Sequence, residues 1–292
     1  MHNEGVPRGT DATLQHRPLR HLSRMSARGC RLDALVCLCS EFSQASAISH
    51  KKPRWDFALR RTQGIVCISD YVNALVTKYG IPAWVVSDAL QKMFFDFPRD
   101  NGSTSEKPLM INVGVISERK RQHQLLQTLE SLRSEGLDFD VMFVGRLDRK
   151  SPYGRTFDEM LASVRAKHVG FEHVEFLDDT SFCRLFDRAS AMIHFSSEES
   201  FGLTFAESIA RGLYLFASDV GAVRDIITGV KRAQVFGVDD WEGMKRAVRE
   251  WIVSNQWRQP RPEKPPSEFI QKYHPVSVAQ RHIEIYQEIL RR

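Results

Sequence analysis

The chain has 292 residues, of which 42% are hydrophobic, 10% aromatic and 26% charged, and its formal net charge is +5. This composition excludes wholesale disorder and fibrous repeats, and the length suits two modest domains or one large one. The charge sits at one end: Arg8, Arg17, Arg20, Arg24, Arg28 and Arg31 face only Glu4 and Asp11 within residues 1–31, so the remainder is close to neutral and lacks a nucleic-acid footprint.

Residues 1–31 read as a basic, disordered tail, with membrane-surface contact and organelle targeting as the alternatives. No apolar run reaches the roughly 18 residues of a membrane span. The odd set Cys30, Cys37, Cys39, Cys67 and Cys183 has no C-x-x-C pair and fits buried thiols in a reducing, cytoplasmic setting. From Leu32 onward, short apolar runs alternate with helix-length amphipathic stretches. Strands are expected at Ala34–Cys39, Gly64–Ile68, Trp84–Ser87, Leu109–Val115, Asp140–Val144, His173–Leu177, Ala191–Phe195 and Leu213–Ala217. Helices are expected at Asp70–Tyr79, Arg121–Glu135, Thr156–Lys167, Ser181–Ala189, Thr204–Arg211, Asp240–Ser254 and Val276–Arg292, with Gly80, Gly136 and Gly212 as left-handed caps. Crossovers of this length imply parallel sheets covered by helices on both faces.

A polar linker, 99–108, divides a short first domain, 32–98, from a complete second domain, 109–259. A proline-rich crossover and terminal helix, 260–292, follow. The first domain has only three strands, so its open edge and uncovered apolar face are expected to be covered, by a second copy or a partner in preference to the tail and last helix, since an unpatterned arginine-bearing tail is a poor strand donor.

The chemistry concentrates in Ala191–Gly212, which reads strand, loop, helix. Ligands of open α/β sheets bind beyond the carboxyl ends of strands, and a helix beginning near Leu203 aims its free amides at the loop Ser196–Gly202, a seat for phosphate. Gly202 permits close backbone approach. Glu199 in the loop and Glu207 in the helix then flank one pocket, where carboxylates suit sugar hydroxyls.

Glu199-x7-Glu207, followed by Ala-Arg-Gly212 and Ala-Ser-Asp-Val-Gly221-Ala-Val-Arg-Asp225, closely resembles the donor-binding domain of family 4 retaining glycosyltransferases of the GT-B fold. Gly64-Ile-Val-Cys-Ile-Ser-Asp-Tyr, Val113-Gly-Val-Ile-Ser-Glu-Arg-Lys120 and the Tyr273–Leu290 helix extend the resemblance. It implies a GT-B type α/β fold with two Rossmann-like domains, the first truncated. It further implies transfer of a sugar from a nucleoside-diphosphate donor to an acceptor hydroxyl of a glycan, lipid or small molecule. Glu199 would hold the transferred sugar and Glu207 the donor ribose. Phe201, Gly202, Leu203 and Thr204 would cradle the diphosphate through their amides, Gly114 and Arg119 would line the donor site, and the base would lie near Phe176–Asp179, with Phe176 and Leu177 as its contacts. Lys120 would neutralise the diphosphate, so no metal and no cofactor is expected.

Two positions depart from the family pattern. Val115 stands where an arginine usually contacts the diphosphate, leaving Arg119 or Arg121 to compensate unless both face solvent. The glycine-rich loop and histidine of a full first domain have no match, His50 lying too near Gly64. A partner-dependent, non-catalytic nucleotide-sugar-binding subunit is therefore the alternative, and a nucleotide-sugar epimerase of the same fold has only its architecture in favour. Asp178-Asp179 reads as a helix cap, and His194 as a core or supporting residue beside the site.

Overall fold

The computed structural model describes residues 62–99 and 106–291, together with the backbone of Val36–Cys39. The tail 1–31 and most of the 99–108 linker lie outside the described residues, as do Cys30 and His50.

Two parallel sheets carry the chain. The smaller has strands β1 (Val36–Cys39), β2 (Gly64–Cys67) and β3 (Ala83–Val85) in the order β1-β2-β3. β2 is buried throughout, and its alternation sends Ile65 and Cys67 to one face and Val66 to the other. Helix α1 (Asp70–Val76) covers the first face through Val72 and Val76. Ser69 caps its start by accepting from the Val72 amide at 3.2 Å. The opposite face, with Val66 and Val86, is covered by Val278, Ile285 and Ile289 of the last helix.

The larger sheet has β4 (Leu109–Val113), β5 (Asp140–Val144), β6 (Phe171–Val174), β7 (Ala191–His194), β8 (Tyr214–Ser218) and β9 (Ala233–Phe236). Its order is β6-β5-β4-β7-β8-β9, all parallel. The chain winds outward from β4 to β6 and then outward from β7 to β9 on the other side, so the winding reverses between β4 and β7. Such a switch point opens a crevice at the strand carboxyl ends. Period-2 alternation gives the sheet two dry faces: Ile111, Val113, Met192 and Leu215 join one core, and Met110, Phe143, Ile193 and Phe216 the other.

The covering helices in order are α2 (Met93–Asp96), α3 (Gln122–Ser134), α4 (Pro152–Lys167), α5 (Asp179–Arg188), α6 (Leu203–Ala210), α7 (Val223–Ile227), α8 (Trp241–Val253), α9 (Ser267–Tyr273) and α10 (Pro275–Leu290). Pro275 opens α10 and separates it from α9, so the expected single closing helix is preceded by a second one. Both segments that connect the sheets are pinned beside a fully buried ion pair. Arg211, 1% exposed, donates from Nε and Nη2 to Asp187 at 2.6–2.8 Å and from Nη1 to the Phe97 carbonyl at 2.9 Å. Arg261 donates to the carbonyl of Phe186 at 3.0 Å. A buried carboxylate of this kind is tolerable only with its guanidinium in place, removal of one partner costing about 3–5 kcal/mol.

Three expected strands change most in extent, the first of them Trp84–Ser87, which pairs only over Ala83–Val85. The run His173–Leu177 forms a strand only over Phe171–Val174, because β5 ends at Val144 and the Gly145 amide closes the pairing on the Val174 carbonyl at 2.9 Å. Beyond it the chain leaves the sheet. Likewise Leu109–Val115 pairs only to Val113, which frees Gly114 and Val115 for the crevice.

Candidate active site

Three segments meet where β4 and β7 end. Gly114 continues β4, its amide bonded to the Val144 carbonyl at 2.8 Å. A short 3-10 turn, Glu118–Lys120, then leads into α3. The loop after β7 fastens onto that turn and onto the end of β8: the Ser197 amide donates to the Arg119 carbonyl at 2.8 Å, and Ser218 Oγ of β8 donates to the Ser196 carbonyl at 2.7 Å. From the smaller sheet, Ser69 Oγ donates to the Ser200 carbonyl at 3.2 Å, and the Tyr71 amide donates to Asp225 Oδ2 at 3.3 Å.

Two glycines make the loop's course possible. Gly221 has φ +55° and packs so closely on the Glu199 backbone that an added Cβ would stand 1.5 Å from the Glu199 carbonyl oxygen. No side chain fits there. Gly202 caps α6 with φ +93°, a left-handed turn that lets the helix start directly out of the loop with no side-chain cap on its first amides.

The loop and turn bring Glu199, Lys120 and His194 into one buried cluster. Lys120 Nζ donates to Glu199 Oε1, and the same oxygen accepts from Ser196 Oγ at 3.0 Å. His194 Nε2 lies 3.0 Å from Oε1 and 3.1 Å from Lys120 Nζ. Arg119 Nη1 donates to the Glu198 carbonyl at 2.7 Å and stands 3.5 Å from Glu199 Oε2. Burial alone would raise the Glu199 pKa, but the His194 hydrogen bond and the Lys120 charge hold it well below the ordinary carboxylate range. Burial pushes the Lys120 ammonium down from its ordinary value, with Glu199 opposing. The His194 imidazole, 0% exposed, is likewise pushed down by burial and by Lys120, so it is neutral at pH 7.

A cavity of about 300 Å³ adjoins this cluster, lined by Gly114, Val115, Phe176, Leu177, Asp179 and Glu207 among others. Gly114 joins the two, since a Cβ there would sit 3.6 Å from Lys120 Cε. Glu207 Oε2 is buried without a hydrogen-bond partner, and burial raises this carboxyl to about 7. An unpartnered buried acceptor facing a cavity is suited to a ligand hydroxyl.

The residues expected from sequence therefore divide. Gly114, Phe176, Leu177 and Glu207 share the cavity, Phe176 projecting 81% exposed at its mouth. Glu199, Lys120 and Arg119 form the adjacent charge cluster. Gly202, Leu203 and Thr204 stand at the start of α6, Leu203 38% exposed, whereas the Phe201 ring is buried against Tyr273 and only its backbone can serve a ligand. Val115 lines the cavity at 47% exposure without contributing charge, and Arg121 turns away to the Val238 carbonyl at 2.8 Å and to Asp239. Asp178 caps α5, accepting from the Ser181 amide at 3.0 Å.

Sequence reasoning missed the hold on Glu199 by Ser196 and the contact of His194 with both charged partners. The available signal was weak: a polar ring at the last position of an apolar strand, two residues before a serine. Among the described residues, no group of three or more His, Cys, Asp and Glu side chains is placed to share a metal ion, and no helix is long and apolar enough to cross a membrane.

Serotype-specific mannosyltransferase WbdA of Escherichia coli is 27% identical over 181 residues, which is 58% of this chain and 21% of the relative. A second such WbdA is 25% identical over 150 residues, 50% of this chain and 17% of the relative. The chain thus spans about a fifth of the length of the curated relatives it matches. Among solved structures, sucrose-phosphate synthase from Thermosynechococcus elongatus superposes with a TM-score of 0.75 at 14% identity, covering 92% of this chain and 70% of that one. Anabaena Alr3699/HepE in complex with UDP-glucose superposes with a TM-score of 0.73 at 14% identity, covering 87% and 72%. At such identities the likeness speaks for the α/β fold alone, which is that of GT-B glycosyltransferases. The family description "Glycosyl transferases group 1" matches residues 93–264, more than half the chain and the whole of the site, and the chain belongs to that family.

Proposed function

We propose that this chain transfers a sugar from a nucleoside-diphosphate donor to an acceptor hydroxyl, with retention at the anomeric carbon and without a metal. The observation that carries the reading is the continuity, at Gly114, of a cavity holding an unpartnered carboxylate with a buried lysine–glutamate cluster. The nucleoside enters the cavity, its ribose hydroxyls donating to Glu207 and its base lying toward Phe176 and Leu177. The diphosphate lies across Gly114 toward the first amides of α6, where the helix dipole and Lys120 stabilise the charge that grows as it departs. WbdA is named a mannosyltransferase, and HepE is described in complex with UDP-glucose, which favours a hexose donor.

In the reaction, the bond from the anomeric carbon to the diphosphate oxygen breaks and a bond to the acceptor oxygen forms. The acceptor proton leaves with the departing diphosphate. Glu199 is held ionised far below neutral pH and is a poor proton acceptor, so the leaving group is the better base. Delivery of the acceptor proton to that group places the acceptor on the face from which the diphosphate departs, and the configuration is kept. Proton NMR of the products formed from α-linked UDP-, GDP- and ADP-hexoses tests this directly. An α-linked product is expected, and a β-linked first product contradicts the reading.

A further inference from the structure

His194 stands in the charge cluster without lining the cavity. It ends β7 fully buried, with the Phe205 ring of α6 at a centroid distance of 5.2 Å, Gly114 beside its Cε1, and Lys120 and Glu199 at Nε2. The charged groups facing it are Lys120 and Arg119 from the Glu118–Lys120 turn and Glu199 from the loop after β7. Nδ1 is buried and has no partner. A proton on Nδ1 would bury an unsatisfied donor, costlier than the bare acceptor it replaces, and would set the Nε2 lone pair 3.0 Å from a carboxylate oxygen; the Lys120 ammonium 3.1 Å away favours that lone pair, but it is already engaged with the same Glu199 oxygen, so Nε2–H gives the better-satisfied cluster.

We propose that His194 is a positioning residue: as a neutral Nε2–H donor it holds Glu199 Oε1 in place when Lys120 leaves that oxygen for the donor's diphosphate. This rests on the functional reading above. Without donor, Glu199 Oε1 is held by Lys120, Ser196 and His194. An arriving diphosphate competes for Lys120, which has the longest side chain of the three holders and is 12% exposed where the His194 ring is 0%. Ser196 and His194 remain, keeping Oε1 saturated and directing Oε2, which has only Arg119 at 3.5 Å, toward the sugar hydroxyls. A strand-end imidazole suits this task because its fully packed ring cannot follow the lysine.

The test separates placement from function. In the donor-free protein, nitrogen-15 NMR of the His194 ring should show protonated Nε2 and bare Nδ1 from pH 6 to pH 8, and a ring protonated on Nδ1 overturns the proposal even if donors bind. Failure of the unmodified protein to bind any nucleoside diphosphate defeats the functional reading instead, leaving the ring's protonation to decide the placement of His194. With donor, H194L should reduce kcat for sugar transfer about 10- to 100-fold while leaving the Kd for bare nucleoside diphosphate within about twofold. H194Q supplies an N–H at similar reach and should recover to within about fivefold of the unmodified enzyme. Thermal melts accompany both variants. If H194L and H194Q lose activity, nucleotide affinity and melting temperature alike, the residue is only packing and the proposal falls. It falls equally if both variants retain full kcat.

Discussion

Replacing Glu199 with glutamine is expected to lower sugar transfer by about 100-fold or more while leaving affinity for bare nucleoside diphosphate unchanged or slightly tighter. The carboxylate is 4% exposed and holds Lys120 in the donor-free protein, so it competes with an incoming diphosphate for that ammonium. A neutral amide at the same volume weakens this competition and frees the lysine for phosphate. The amide also loses the charge that the sugar hydroxyls and the developing positive charge at the anomeric carbon require, and the removal of one preorganised electrostatic group of this kind typically costs 10²–10³ in kcat. Paired measurements of turnover and of bare-nucleotide binding on Glu199→Gln read both parts. A parallel loss of nucleotide affinity would move Glu199 from the sugar to the nucleotide.

Nucleotide affinity is expected to rise with pH between 6 and 8, and Glu207 to be the cause. Its carboxyl is raised from 4.5 to about 7 by burial, and ribose hydroxyls donate best to the ionised form. At pH 6 about a tenth of the carboxyl is ionised, so binding should be about tenfold weaker there than on the alkaline plateau. The stability of the unliganded protein moves the other way. A group whose folded pKa is raised contributes stability that is present below the unfolded value of 4.5 and lost as pH climbs through about 7. Glu207→Gln removes both slopes and weakens nucleotide binding at pH 8 by about 10- to 100-fold, the loss of charge-assisted contacts. Calorimetry in buffers of different ionisation enthalpy measures the linked proton directly, and binding that releases no proton at pH 6.5 would show that Glu207 does not meet the ligand.

Much of the fold could be read from the residues because parallel, doubly covered strands leave continuous apolar runs. Val141–Val144 and Ala191–Ile193 cannot sit anywhere but inside, and Gly80, Gly136 and Gly212 mark helix ends by their need for positive φ. The elements that escaped are the short or polar ones. β9 carries Gln234 in a four-residue strand at the sheet edge, α7 has only five residues, and α9 hides behind the prolines that precede it. Each is fixed by tertiary pairing, which no local period records.

The site was legible to a different depth. Glu199, Glu207 and Lys120 stood out because their spacing follows a family pattern; in the structure Lys120 pairs with Glu199, and Glu207 lines the cavity that Gly114 shares. Their electrostatic states were not legible. That Glu199 is pushed down and Glu207 up depends on Lys120 and His194 surrounding one carboxylate and nothing reaching the other. The Lys120 contacts join residues more than 70 positions apart, and the one steric fact that sets the loop, Gly221 against the Glu199 carbonyl, likewise joins two loops.

The central claim, a helix-start and lysine site for a nucleoside diphosphate, is tested most directly by titrating UDP, GDP and ADP into the protein in the presence of EDTA, side by side with Lys120→Ala. One of the three nucleotides is expected to bind without a divalent ion, and the lysine substitution to weaken it by about 1–3 kcal/mol, roughly 5- to 150-fold. Binding that appears only when a divalent ion is added, or that is indifferent to Lys120, would contradict the account.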